Sequence, residues 1–88
     1  MSTIRERVIE VLEFKDLKSR DLEAATGIDR YRWDNFRNKG QKTTEEHLAG
    51  LEKVVPEFIY WIVTGNELPE AGQISPMTEK ARRDSKTA

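Results

Sequence analysis

Ser19-Arg20-Asp21-Leu22-Glu23-Ala24-Ala25-Thr26-Gly27-Ile28-Asp29-Arg30-Tyr31-Arg32-Trp33-Asp34-Asn35-Phe36 is the stretch on which the fold turns. Ser19 has the short hydroxyl side chain that accepts from free amides at a helix start, and Leu22, Ala24 and Ala25 follow with helical spacing. The reading is a helix over about residues 20–26. Gly27 takes positive φ without a Cβ clash, so the helix stops there. Asp29 then caps a second helix over residues 29–37, whose apolar residues Trp33 and Phe36 lie three apart on one face. Two short helices joined by a tight turn are the expected centre of the molecule.

Upstream, Ile4, Val8, Val11 and Leu12 recur at i, i+4, i+7 and i+8, which predicts a helix over residues 4–14. Thr3 and Glu6 have the spacing of a capping box. Downstream, Asn38-Lys39-Gly40 is a break. Thr43 and Glu46 offer a second capping box, and Leu48, Leu51 and Val55 form the face of a helix over residues 44–54. Pro56 suits a helix's first turn and Gly65 its end. The run Phe58-Ile59-Tyr60-Trp61-Ile62-Val63 between them also suits a buried strand, but the brackets favour a fifth helix. The expected fold is all-α: a compact five-helix domain over residues 1–65, followed by a short, mostly irregular tail over 66–88. Ser75-Pro76-Met77-Thr78-Glu79 can start a short helix near 76–83, with the last residues disordered.

Eighty-eight residues make one domain with a small core. The absence of cysteine excludes disulfides and thiolate metal sites, and His47 alone cannot form a metal cluster. No metal, cofactor or small-molecule ligand is expected. No apolar run approaches the roughly 20 residues of a membrane span, and residues 1–13 lack the apolar stretch of a signal peptide. The expected location is cytoplasmic, at the nucleoid. The net charge of −1 argues weakly for any polyanion partner, but its distribution is uneven. Residues 15–42 carry eight basic and five acidic side chains, residues 43–79 one basic and seven acidic, and residues 80–88 four basic and one acidic. That polarity orients the molecule on a polyanion.

Two helices about a tight turn match the helix-turn-helix plan. On Ser19-Arg20-Asp21-Leu22, Gly27-Ile28, Trp33 and Phe36, together with Trp61-Ile62-Val63-Thr64-Gly65, the chain resembles the lambda-repressor-like (Cro/repressor, XRE-type) family of phage and bacterial regulators. The likeness covers about residues 4–65. It implies a transcriptional regulator of phage or mobile-element type. Three positions depart from the family pattern: Ser19 stands for Gln, Glu23 for Ala, and Arg37 for an acid. The Ala site packs close to the recognition helix, so Glu23 must angle outward or the two helices must sit differently.

The residues support the same function on physical grounds. With Trp33 and Phe36 buried, Arg30, Tyr31, Asp34 and Asn35 lie on or beside the outward face of the 29–37 helix. Arg can donate two hydrogen bonds to guanine, and Asn pairs bidentately with adenine. Arg30, Tyr31, Arg32 and Asn35 are thus the candidate base-reading set in the major groove of double-stranded DNA. Lys18, Ser19, Arg20, Lys39 and Lys42 flank that helix and are the candidate phosphate contacts. Phe58, Ile62 and Trp61 can fill the core, which leaves Ile59, Tyr60 and Val63 as an apolar patch for a homodimer. The Pro69-containing tail folded over the same patch is the alternative.

Other residues read more plainly. His47 is expected on the helix surface, and Glu45, Glu46, Glu52 and Glu57 as a solvated face or a patch for a basic partner. A protein-interaction module on the same fold, an antagonist or adaptor, competes with the DNA-reading function; the acids Glu23, Asp29 and Asp34 favour it. Catalysis is not expected, because no nucleophile–base arrangement and no phosphate-cradling glycine loop is present.

Overall fold

A computed structural model describes residues 2–87, with side chains described through Ser85. Six helices follow one another: α1 (Ile4–Phe14), α2 (Ser19–Thr26), α3 (Arg30–Asn38), α4 (Glu45–Val54), α5 (Ile59–Thr64) and α6 (Pro76–Thr87). Short 3-10 turns, Pro56–Phe58 and Pro69–Ala71, precede α5 and α6. No strand occurs among the described residues, and residues 58–63 are helical, as the proline and glycine brackets require. None of the helices is long and apolar enough to cross a membrane.

Each helix start has a local cause. Thr3 and Glu6 form the expected capping box, with the Glu6 amide donating to Thr3 Oγ1 at 3.1 Å and the Thr3 amide to Glu6 Oε1 at 3.2 Å. Helix α2 begins one residue earlier than Ser19's capping role predicts. Lys18 occupies the cap, its amide donates to Asp21 Oδ2, and the Ser19 hydroxyl donates instead to Asp34 on α3. Gly27 ends α2 at φ 78°, the left-handed conformation that closes a helix without a Cβ clash. Asp29 caps α3 through the Tyr31 amide at 2.7 Å.

The start of α4 corrects two expectations. The capping box is Thr44 with His47, one residue later than Thr43 with Glu46. His47 is not on the surface; its residue is only 3% exposed. The ring lies 5.0 Å from Trp33 and 4.8 Å from Phe36 between ring centres, and its Nδ1 accepts the Thr44 amide at 3.1 Å. A backbone amide can only donate, so Nδ1 is unprotonated in the folded state. Burial, then the Arg32 charge, push the His47 pKa below its ordinary value, with Glu46 opposing. A depressed folded pKa gives stability that is intact above the unfolded value of about 6.5 and is lost as pH falls toward the folded value. From about pH 7 to about pH 5, the wild type should therefore lose more stability than His47→Gln, which keeps an acceptor at the cap but does not titrate. Urea midpoints across that range check this; parallel curves for the two proteins would contradict it.

The core collects Val8, Val11, Leu12, Leu22, Ile28, Trp33, Phe36, Leu51, Val55, Phe58, Ile62 and Ile74. Helices α2 and α4 approach closely at Gly50, where an added Cβ would stand 2.9 Å from Thr26 Cγ2. Arg7, nearly buried, sends Nε to the Ile62 carbonyl and Nη1 to the Ser2 carbonyl and hydroxyl. Its charge thereby satisfies a carbonyl near the end of α5, where cations are favoured.

The tail is more ordered than expected. Leu68 and Gln73 pair in an isolated antiparallel bridge. The Gln73 side chain accepts the Tyr60 amide and donates to the Pro56 carbonyl, both at 3.0 Å, and the Ile74 amide donates to the Glu57 carbonyl. Ile74 and Ser75 are buried by this docking. Helix α6 does not end near residue 83 but continues to Thr87; Ala88 lies outside the described residues. Tertiary contacts hold it on α1: Arg83 sits 5.1 Å from the Phe14 ring centre, and Lys15 Nζ is 3.7 Å from Glu79. Turn-rich composition predicted irregular chain here, because none of these partners is local in sequence.

Candidate nucleic-acid interface

Helices α2 and α3 are joined by a tight turn at Gly27 and packed through Leu22, Ile28, Trp33 and Phe36, with the first turn of α3 turned to solvent. Beyond the turn, two further contacts anchor α3. Arg5 Nη2 donates to the carbonyls of Phe36 and Arg37 at 2.8 and 2.9 Å, capping the end of α3 with a cation. Arg37 donates to the Leu17 carbonyl, tying α3 to the loop that precedes α2. Neither role was readable from helical periodicity.

The candidate base readers are in different states. Tyr31 is 71% exposed and Asn35 half-buried. Arg30 is exposed but engaged. Its amide donates to Glu23 Oε2 at 2.9 Å, and its Nε and Nη2 donate to Glu23 Oε1 at 3.1 and 2.9 Å. The backbone and guanidinium N–H groups of Arg30 hold the Glu23 carboxyl below the usual carboxylate range. Arg32 Nη2 pairs with Glu46 Oε2 on α4 at 2.7 Å. Every charged side chain from Arg30 to Asp34 is thus joined to a neighbouring helix: Arg30 to Glu23, Arg32 to Glu46, Asp34 to Ser19. Glu23 angles out of the α2–α3 contact to reach the start of α3, which is how the bulkier residue fits there.

Lys18, Ser19, Arg20 and Arg30 meet at one cleft of about 410 Å³, which Asp21 and Asp34 also line. Lys42 lies elsewhere, in a cleft of about 390 Å³ with Thr3, Ile4, Arg5, Gly40 and Thr43. Lys18 pairs with Asp16 at 2.8 Å. Arg20, Lys39 and Lys42 are exposed and make no ion pair among the described residues. On α5, Ile59 is partly buried against the core, whereas Tyr60 is 36% and Val63 43% exposed. The docked tail reaches the start of α5 through Gln73, and Tyr60 and Val63 stay partly exposed.

No protein-family model and no curated protein sequence matches the chain. Among solved structures, the chain is similar to Pf6r from the filamentous phage Pf6 of Pseudomonas aeruginosa PA01. The two share 29% identity with a TM-score of 0.82, over 94% of this chain and 96% of Pf6r. The likeness therefore extends into α6 and is not confined to α2 and α3.

Proposed function

We propose that this chain is a sequence-specific double-stranded-DNA-binding transcriptional regulator of phage or mobile-element type. The observation that carries the reading is the α2–Gly27–α3 unit, with the first turn of α3 facing solvent beside the cleft of Lys18, Ser19, Arg20 and Arg30. Similarity to a protein of a filamentous phage supports the phage setting. In this reading α3 enters the major groove, Arg30, Tyr31, Arg32 and Asn35 face base edges, and Lys18, Ser19, Arg20, Lys39 and Lys42 face phosphates. The protein acts in the cytoplasm, at the nucleoid, without a cofactor and without catalysis. Selection from a random-sequence duplex pool, followed by binding at increasing salt, tests it. A recovered consensus with affinity falling steeply in salt is the expected result.

A second reading, a protein-binding module on the same fold, has its own support in the acids Glu23 and Glu46, which occupy Arg30 and Arg32 of α3. A chain that retains no duplex even at low salt would favour that reading.

One helix-turn-helix reads only a few base pairs, so the proposal includes a twofold dimer that spaces two α3 helices about 34 Å apart. Ile59, Tyr60 and Val63 are its proposed interface. Val63→Asp is the informative variant, because Val63 is 43% exposed and outside the core. The wild type is expected to sediment as a dimer and Val63→Asp as a monomer. A wild type that sediments as a monomer well above DNA-binding concentrations removes α5 from the interface.

A further inference from the structure

The contact between Glu23 and Arg30 does more than pair two surface charges. One carboxylate receives three N–H groups of a single residue: Oε2 takes the Arg30 amide, and Oε1 takes Nε and Nη2. The amide belongs to the first turn of α3, the free-donor end of a helix, where a DNA phosphate would otherwise be received. Glu23 fills that place with a fixed negative charge. The guanidinium is a rigid planar fork, and the carboxylate engages its Nε–Nη2 side. Nη1 and the outer N–H of Nη2 form the end of the fork, and no described residue takes a hydrogen bond from Nη1. The Arg30 side chain remains 47% exposed in this pose. Asp34, one turn along α3, accepts from Ser19, which leaves Glu23 as the ion-pair partner of Arg30.

We propose that Glu23 is a specificity-determining positioning residue, which holds Arg30 so that only the end of its fork can reach a base and which keeps phosphate away from the start of α3. Two parallel N–H donors at that end match the O6 and N7 acceptors of guanine in the major groove. The held side chain loses little freedom on binding, because its rotamer is already selected. The fixed negative charge also weakens binding to DNA that offers no guanine in the right place. Specific and non-specific binding are thereby separated by one residue. This inference rests on the DNA-reading function proposed above.

The test uses the full chain, the preferred duplex recovered from the random pool, its single-base-pair variants and an unrelated duplex. Wild type, Glu23→Ala, Arg30→Ala and the double variant are compared, with thermal melting to establish that each is folded. Glu23→Ala is expected to bind the unrelated duplex more tightly, by about 3–10-fold. It should lose about 10-fold of its discrimination at a single G·C position, the scale of one bidentate base contact. Arg30→Ala should lose discrimination at that same position, and adding Glu23→Ala to it should change nothing further there. Glu23→Gln, which keeps the shape and removes the charge, should fall between wild type and Glu23→Ala. If Arg30→Ala relaxes one position while Glu23→Ala leaves it unchanged, the positioning role is overturned and DNA reading stands. Equal gains from Glu23→Ala with and without Arg30, at every base pair, reduce Glu23 to general repulsion and also overturn it. Recovery of no preferred duplex removes the DNA-reading function, and the role of Glu23 with it.

Discussion

Trp33→Ala is expected to lower the unfolding free energy by about 3–5 kcal/mol, the range for removing a buried aromatic side chain and leaving a cavity. Trp33 is fully buried where α3 meets α4, edge-on to Phe36 at 6.3 Å between ring centres and 5.0 Å from His47. A domain of this length holds about 4–13 kcal/mol in total, so the loss is a large fraction of it. The melting temperature should fall by about 15–30 °C. Trp33→Phe should be much milder. The indole N–H is buried with no hydrogen-bond partner among the described residues, and phenylalanine removes that unsatisfied donor while keeping most of the ring. Urea unfolding followed by circular dichroism measures both variants. A Trp33→Ala change within about 1 kcal/mol would show that the core does not depend on this ring.

Replacing Arg20, Lys39 and Lys42 together by alanine is expected to weaken binding to all duplexes alike, by about 100-fold or more at moderate salt. These three cations make no ion pair among the described residues, so their full charge is available to phosphates. Each phosphate contact contributes about 0.9 to the slope of log affinity against log salt, so the triple variant should be shallower by about 2.7 units. Lys18 is a weaker choice, because Asp16 already partners it. Preference among sequences should be retained, since phosphate contacts position the protein and carry no base information. An unchanged slope would take these residues out of the phosphate contact. A change of preference at one base pair would instead make one of them a base reader.

Local chemistry made much of the molecule legible in advance. The capping box at Thr3, the stop at Gly27 and the cap at Asp29 act over three or four residues, and the chain folds there as its residues dictate. The burial of Trp33 and Phe36 followed from their three-residue spacing on one helix. Misreadings arose where a side chain had a choice of partners. Ser19 could cap α2, but its hydroxyl donates to Asp34, fifteen residues away. His47 looked like a helix-surface residue, yet its ring packs against both Trp33 and Phe36 while its Nδ1 serves the cap.

The candidate site divides along the same line. That Arg30, Tyr31, Arg32 and Asn35 all lie on one helix, α3, is a consequence of helical periodicity and one glycine, both written in the chain. That Arg30 is held by Glu23 and Arg32 by Glu46 depends on how α2 and α4 lie against α3, a matter of tertiary packing. The tail shows the same limit most plainly. Residues 66–88 have the composition of irregular chain, and by their own propensities they give at most a short helix. Gln73 finds the open backbone groups of Pro56 and Tyr60, and Arg83 finds the face of Phe14. By itself the sequence determined, to within a few residues, where the first five helices lie and which of their faces are apolar, because those follow from hydrogen bonds and spacing within a few residues. Tertiary structure alone decided which charges are occupied, where the histidine lies and how the last quarter of the chain is ordered, because the groups that answer those questions are brought together only when the core closes.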